Sequence, residues 1–332
     1  MRAGRRGRPA RRRGDVLSAS GTDLAALLRA AAGRLAAAGV PSPRADAEEL
    51  LAHALGTTRG AVALAALRGD DGPAPDVRTA YAALVAARCA RRPLQHLTGR
   101  APFRGLELAV GPGVFVPRPE TEGLAGAAVD AAREVERAEG RPAVVVDLCT
   151  GSGAVALAVA AEVPRARVVG VELSEDALAW ARRNAADLGA RPPLAGRPGG
   201  PVEVVAGDAG SALPGLEGLV DVVVSNPPYI PPGAVPVDPE VRDHDPGAAL
   251  YGGGEDGLEV PGAVVARAAA LLRPGGVVLV EHAEVQQPAL LAVLAGPAWS
   301  GATGAVDLTG RPRWVRATRA DGAVPAPPAA AR

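Results

Sequence analysis

Valine-dense segments spaced along the second half of this chain constrain its fold more than any other feature. Ala143 to Leu148 reads as a near-continuous apolar run, the texture of a strand covered on both faces rather than one that alternates with solvent. Arg167 to Glu172, Val202 to Val205, Val220 to Val224 and Val277 to Glu281 repeat that texture. Helical stretches separate them: one from about Gly153, one that Ser174 can cap and that runs to about Leu188, and one ending at Arg273-Pro274-Gly275-Gly276. Strands and helices in alternation predict a doubly wound α/β sheet whose ligand sites lie at the carboxyl ends of the strands. Gly304 to Thr318 suits an antiparallel pair that closes the sheet.

The first third has a different period. Leu24, Leu27, Leu28 and Leu35 recur at helical spacing, and Ala45 to Leu51 opens a second amphipathic stretch behind Ser42-Pro43, a start signal in which serine caps and proline occupies the first turn. Gly60 to Leu67 and Asp76 to Arg91 continue the helical pattern on either side of the breaker run Gly69-Asp70-Asp71-Gly72-Pro73. Phe103 to Val110 and Val114 to Val116, around Gly111-Pro112-Gly113, predict a hairpin. The domain expectation is an Arg-rich unstructured arm over 1–20, a helical domain over 21–95, a β-hairpin linker over 96–120, an α/β domain over 121–319 and an unstructured tail over 320–332.

Composition narrows the function classes. The formal net charge is zero, so no overall field draws the chain to nucleic acid. All 36 basic residues are arginine, and only 2% of the chain is aromatic, so aliphatic side chains must fill the core. Cys89 and Cys149 lie sixty residues apart and the histidines number 4, which offers neither a disulfide framework nor a metal-ligand spacing. No uncharged apolar run reaches spanning length and no signal-type stretch follows Met1 to Arg13, so a cytoplasmic enzyme is expected.

Four constellations carry chemistry. Asp147-Leu148-Cys149-Thr150-Gly151-Ser152-Gly153 ends the first strand of the α/β domain in a turn that lets backbone approach a ligand. The dinucleotide spacing of glycines is missing, because Ala154-Val155-Ala156 follows Gly153, and the acidic Asp147 suits the ammonium end of S-adenosylmethionine. Glu172 stands nineteen residues after Gly153 at a strand end, where a carboxylate can take both ribose hydroxyls of a nucleoside. Asp208, with Ala209 beside it, is a candidate for the adenine, with a plain surface turn as an equal reading. Asn226-Pro227-Pro228-Tyr229 decides among these. Prolines cannot donate ladder hydrogen bonds, so the strand stops, and the Asn226 carboxamide and the Pro227 carbonyl become two acceptors facing one NH2 group. An amide or arylamine nitrogen is a poor nucleophile because its lone pair is delocalised. Accepting both of its N–H bonds orients it and favours the charge that develops as it attacks a sulfonium methyl. Tyr229 offers a face for a planar acceptor. The catalytic candidates are therefore Asn226, Pro227 and Tyr229, with Pro228 in the acceptor site; Asp147, Cys149, Thr150, Gly151, Ser152, Gly153, Glu172, Asp208, Ala209 and Asn226 are the cofactor candidates. No metal is expected.

Further segments carry a family likeness: Arg91 to Gly99, Val116-Pro117-Arg118-Pro119-Glu120-Thr121-Glu122, Val241 to Pro246 and Ala249 to Leu258. With the four constellations they resemble the protein-(glutamine-N5) methyltransferases that act on peptide chain release factors, the HemK/PrmC family, over roughly Thr22 to Arg319. The resemblance implies a Rossmann-like seven-stranded S-adenosylmethionine-dependent methyltransferase domain behind a small helical domain and a β-hairpin linker. It implies as substrate the glutamine of the Gly-Gly-Gln motif in class I release factors, with the helical domain engaging that partner, no direct nucleic-acid or membrane partner, and a monomer. Two positions depart from the family look: Cys149 replaces a common glycine, and Ala209 stands where an aromatic side chain often packs near the adenine. The rivals are a ribosomal-protein glutamine methyltransferase, an N6-adenine DNA methyltransferase acting on a flipped base, and a cofactor-binding protein without turnover.

Overall fold

In the computed structural model, which describes residues 23–190 and 202–321, the chain divides into two units, Met1–Arg91 and Arg92–Arg332. The two tails expected over 1–20 and 320–332 lie outside the described residues, save Ala320 and Asp321.

The first unit consists of α1 (Leu24–Ala37), α2 (Pro43–Leu55), α3 (Arg59–Arg68) and α4 (Pro75–Cys89). Pro43 and Pro75 open their helices, where a missing N–H leaves nothing unsatisfied. Left-handed Gly56 and Gly69 end α2 and α3. Ser42 occupies the cap position of α2 but makes no capping hydrogen bond, whereas the Thr58 hydroxyl accepts from Ala61 N at 3.3 Å. Leu28, Leu35, Leu50 and Leu51 form the buried centre with Tyr81, whose hydroxyl donates to Ala47 O at 3.1 Å. Arg88 and Asp46 pair inside at 2.7 Å.

The second unit begins with α5 (Leu94–Thr98) and a hairpin, β1 (Arg100–Phe103) and β2 (Leu106–Ala109). The turn is Arg104-Gly105, not Gly111-Pro112-Gly113 as the sequence suggested. Both residues have positive φ, 44° and 75°, the primed-turn geometry whose twist matches antiparallel strands. Residues 110–116 instead run as a loop, yet Val110, Val114 and Val116 are buried: apolar content there reflected burial, not strand. Gly111 lies so close to Trp180 that a Cβ would fall 2.5 Å from the ring, and the Trp180 indole donates to Pro112 O at 3.2 Å.

The remaining elements are α6 (Thr121–Glu139), β3 (Val144–Leu148), α7 (Ala154–Glu162), β4 (Arg167–Glu172), α8 (Glu175–Ala190), β5 (Val202–Ala206), β6 (Val220–Ser225), α9 (Pro239–His244), α10 (Glu259–Leu271), β7 (Leu272–Glu281), α11 (Gln287–Val293), β8 (Trp299–Val306) and β9 (Pro312–Arg319). The sheet is seven-stranded in the order β5-β4-β3-β6-β7-β9-β8, parallel through β7 and antiparallel at β9 and β8. α6 stands outside the helices expected from periodicity, although Leu124, Ala125, Ala128, Val129 and Ala132 give it one buried stripe. α10 stops at Leu271, two residues short of the Arg-Pro-Gly-Gly stop, because those residues already belong to β7, where the register against β6 shifts.

Each central strand buries both faces. Val145, Val168, Val222 and Leu279 pack under α6 and α7, while Val146, Val169, Val223 and Val278 pack under α10 and α11. The chain runs outward from β3 to β5 and then returns to place β6 beside β3. That is the switch point at which doubly wound sheets open a crevice at their carboxyl ends. Among the described residues no single helix is long and apolar enough to cross a membrane.

The amino ends of the central strands are tied by Asp221, whose buried carboxylate accepts from Arg141 at 2.6 and 2.8 Å, Arg273 at 2.5 Å and Val144 N at 2.8 Å. Burial pushes this carboxyl up, but the three donors outweigh it and hold it below the usual range. A depressed carboxyl stabilises the fold above its unfolded pKa of about 3.9 and loses that contribution as pH falls through its folded value. Asp221→Ala should cost about 3 kcal/mol, the low end for a broken buried pair because both guanidinium groups keep solvent contact. Urea unfolding at pH 7 and at pH 3 checks this, with a smaller parent–variant gap at the lower pH.

Candidate active site

The carboxyl ends of β3 to β7, with the loops after them, enclose a cavity of about 660 Å³. The β3 loop is built around carboxylates. Asp147 shares the face of Val145, so it points beneath α7, where its Oδ2 accepts from Thr150 Oγ1 at 2.6 Å and Ala156 N at 3.1 Å. Burial pushes the Asp147 carboxyl up to about 7, against those two hydrogen bonds and helped by nearby Glu172. Glu172 takes Gly151 N on Oε2 and Ser174 N on Oε1, both at 2.8 Å. Each of its oxygens therefore keeps lone-pair capacity while its rotamer is locked.

Backbone strain marks the same loop. Cys149 has φ 60°, a left-handed conformation that glycine adopts freely and other residues resist, which accounts for the glycine common there and leaves Cys149 strained. Burial, with Glu172 and Asp147 nearby, pushes its thiol far up, so the sulfur stays neutral. Gly170 on β4 leaves room for Thr150: a Cβ there would meet its Oγ1 at 3.0 Å. A Cβ on Gly151 would meet nothing within 4 Å, so the loop faces open space where a ligand fits.

The second wall is Asn226-Pro227-Pro228-Tyr229. Ser225 ends β6 and donates to Leu148 O at 2.6 Å, tying the two central strand ends together. The Asn226 amide nitrogen donates to Thr121 Oγ1 at 3.2 Å. Glu281, the last residue of β7, lines the cavity as well, and its buried Oε2 has no partner among the described residues. Burial raises the Glu281 carboxyl to about 7. Arg313 from β9 pairs with Asp307 at 3.2 Å, while burial, with Glu281 nearby, raises the Tyr229 phenol to about 12.

Of the sequence-derived candidates, Asp147, Cys149, Thr150, Gly151, Ser152, Glu172, Asp208, Ala209, Asn226, Pro227, Pro228 and Tyr229 all reach the cavity wall. Gly153 does not: at φ 85° it turns the chain into α7, and a Cβ there would press on Leu157 at 3.0 Å. Asp208 lines the cavity, and its Oδ1 closes a surface turn onto Gly210 N at 2.9 Å. His282 is buried away from the wall, its Nδ1 2.9 Å from Ala283 O. Residue-by-residue reasoning missed Phe115, Arg118, Thr121, Glu281 and Arg313, which also line the cavity. Arg118 and Thr121 had a signal in the Pro-Arg-Pro-Glu-Thr-Glu segment; Arg313 had none. It also missed Asn184, which bonds both Ala109 N (2.7 Å) and Ala109 O (2.9 Å) and donates to Ser152 O (3.0 Å), pinning the β3 loop from α8.

The donor set fits S-adenosylmethionine: a buried carboxylate beneath the β3 loop, a locked one at the β4 end, open space over Gly151 and a small residue, Ala209, on the wall. Fold and site together define an S-adenosylmethionine-dependent methyltransferase, and residues 145–235 match the profile of a methyltransferase domain family. Residues 26–99 match the PrmC N-terminal domain family. The chain is 52% identical over 291 residues to a release factor glutamine methyltransferase of Streptomyces coelicolor (86% of this chain, 95% of the relative) and 50% identical over 301 residues to that of Mycolicibacterium smegmatis (90% and 98%). It belongs to the release factor glutamine methyltransferase family. A 4-amino-L-phenylalanine/4-methylamino-L-phenylalanine methyltransferase of Streptomyces pristinaespiralis is also similar, 40% identical over 290 residues (86% and 92%).

The glycine-rich segment after Tyr251 packs directly on the second wall. A Cβ on Gly252 would lie 2.6 Å from Pro228 O and closer still to Gly257 O. Gly252→Ala should therefore displace the tetrapeptide and destabilise the protein by about 1–3 kcal/mol, the range for overpacking. Gly262→Ala, whose Cβ would meet nothing within 4 Å, serves as the control in thermal unfolding.

Proposed function

We propose that the protein methylates the side-chain amide nitrogen of the glutamine in the Gly-Gly-Gln motif of class I release factors. The observation that carries this reading is the Asn226 carboxamide: its NH2 is committed to Thr121, which turns the carbonyl oxygen to the acceptor beside the Pro227 carbonyl. Two fixed acceptors suit an NH2 group and reject a hydroxyl, which has one proton to give. Bound S-adenosylmethionine supplies an electrophilic methyl group. The chain holds the glutamine nitrogen in line with it, takes its N–H bonds, and packs Tyr229 against the amide plane. As the N–C bond forms, the methyl–sulfonium bond breaks to leave a neutral thioether, and one of the two N–H protons leaves for water. The helical unit engages the release factor, and the enzyme works in the cytoplasm as a monomer, without a nucleic-acid or membrane partner.

Labelled S-adenosylmethionine with purified release factor tests this directly. Label should enter the parent substrate and not its Gln→Ala variant, and Asn226→Ala should lower the rate by roughly 100- to 1000-fold, as for loss of one preorganised group at a reacting centre. Equal rates for Asn226→Ala and parent would sink the amide clamp. The relative named for methylating 4-amino-L-phenylalanine supports a second reading, an arylamine acceptor, since the same two oxygens suit that NH2. Label on 4-amino-L-phenylalanine in place of release factor would establish it.

In the same reading Glu172 takes the ribose hydroxyls, Asp208 and Ala209 border the adenine, and Asp147 faces the ammonium group. Burial holds the Asp147 carboxyl up at about 7. A raised carboxyl favours the protonated folded form, so its contribution to apo stability is complete below about pH 3.9 and disappears as pH rises through about 7. The ammonium group binds the ionised form, so cofactor affinity should rise from about pH 6 to about pH 8. Calorimetric titration across that range should show the slope in the parent and its loss in Asp147→Asn.

A further inference from the structure

The one-turn helix Glu284–Gln286, between β7 and α11, ends on a buried side chain that is not part of the cavity wall. Gln286 commits both ends of its carboxamide to backbone. Its Oε1 accepts from Ala283 N at 2.9 Å, reaching back to the start of its own turn as one half of a capping box does. Its Nε2 donates to Tyr229 O and to Asp256 O, both at 2.8 Å. A carboxamide turned end for end has almost the same shape, but the partners here decide its direction. Two carbonyls can only accept and a peptide N–H can only donate, so the nitrogen faces Tyr229 and Asp256. Both carbonyls belong to closely held stretches. Tyr229 N donates to Leu250 O at 3.2 Å, and Asp256 Oδ1 accepts from Leu258 N at 3.0 Å, which closes the turn around that carbonyl. Gly257 passes so near that a Cβ there would lie 2.3 Å from Tyr229 O. Two carbonyl oxygens aimed at one point repel each other unless donors stand between them, and one NH2 group supplies two.

We propose that Gln286 is a positioning residue for methyl transfer: its NH2 group clamps the Tyr229 carbonyl to that of Asp256, and so fixes the turn that carries Asn226 and Pro227 on the cavity wall. This rests on the amide-acceptor reading above. Pro227 and Pro228 have no N–H, so the turn is gripped from its Tyr229 end. There the N–H is held by Leu250 O and the carbonyl by Gln286, one grip on each side of the α-carbon. Without the second grip the peptide swings about the first, and Asn226, Pro227 and the Tyr229 ring shift together relative to the methyl donor. The groups read above as holding the cofactor are fixed elsewhere. Asp147 is set by Thr150 and Ala156, and Glu172 by Gly151 and Ser174. Gln286 thus governs the acceptor side of the cavity and leaves the cofactor side alone.

Gln286→Met removes both donors at nearly constant volume, and Gln286→Glu keeps the shape but has at most one proton to give. With saturating cofactor and purified release factor, Met should lower kcat on the order of 100-fold, the scale for a misplacement of about 1 Å at a reacting centre. Glu should lower it by roughly tenfold or more, and both should keep the KM for S-adenosylmethionine within about threefold of the parent. Thermal unfolding with cofactor bound sets a temperature at which each variant is folded. Either variant within about twofold of the parent kcat, or a loss seen only as a raised cofactor KM, or one seen only as a lower Tm, would overturn the proposal. The parent itself gives a second readout, since the chain has 3 glutamines, Gln95, Gln286 and Gln287. In nitrogen–proton spectra the side-chain NH2 pair that survives in both Gln95→Ala and Gln287→Ala belongs to Gln286. It should exchange slowly with solvent, because both of its protons are committed. Rapid exchange there would sink the clamp even if no Gln286 variant folds. If the parent labels no release factor, the substrate reading fails while that exchange still decides whether the clamp exists.

Discussion

The backbone after β6 cannot hold itself, and much of the α/β unit is arranged to hold it. Pro227 and Pro228 have no N–H to give, so the strand ends without ladder partners on that side. Other segments make up the deficit. Leu250 O accepts from Tyr229 N at 3.2 Å and Ile230 N at 2.8 Å, Ile230 O accepts from Gly252 N at 3.0 Å, and the Gln286 side chain donates to Tyr229 O at 2.8 Å. These contacts explain the glycines at 252 and 257: backbone passes over backbone, with no room for a Cβ. The result is a turn held in place on the cavity wall.

Facing that wall, the β3 and β4 ends use buried carboxylates in a different way. Asp147 is oriented by a hydroxyl and a helix N–H, and Glu172 by two backbone N–H groups, so both rotamers are set before any ligand arrives. The cavity concentrates acids: Glu120, Asp147, Glu172, Asp208, Asp238 and Glu281 against Arg118 and Arg313. Arg118 is itself committed to Asp245 at 3.0 Å and lies over the Phe115 ring, 5.0 Å from its centroid. Such a site favours a cationic ligand such as a sulfonium.

The parallel core was legible because strands covered on both faces must be apolar throughout. Arg167 to Glu172 has the bounds expected, and Val202, Val220 and Glu281 bound their strands as read. The hairpin was not legible in its register. Gly111-Pro112-Gly113 has stronger turn residues than Arg104-Gly105, but those glycines answer to the bulk of Trp180 and Asp176 on α8, a contact no local pattern records. α6 escaped notice for a related reason: its buried stripe is mostly alanine, which carries little apolar contrast.

By itself the sequence determined the α/β class, the punctuation of the loops and most of the residues that line the cavity. Local rules suffice there, because periodicity reports burial, proline removes donors and a carboxylate at a strand end has few uses. Tertiary structure alone decided which distant groups stand behind those residues. Thr121 at the start of α6 accepts from Asn226, Glu281 at the end of β7 and Arg313 of β9 line the same cavity, and Asn184 pins the β3 loop from α8. Each is an ordinary polar residue in its own segment. Only the order of strands in the sheet brings them to one cavity.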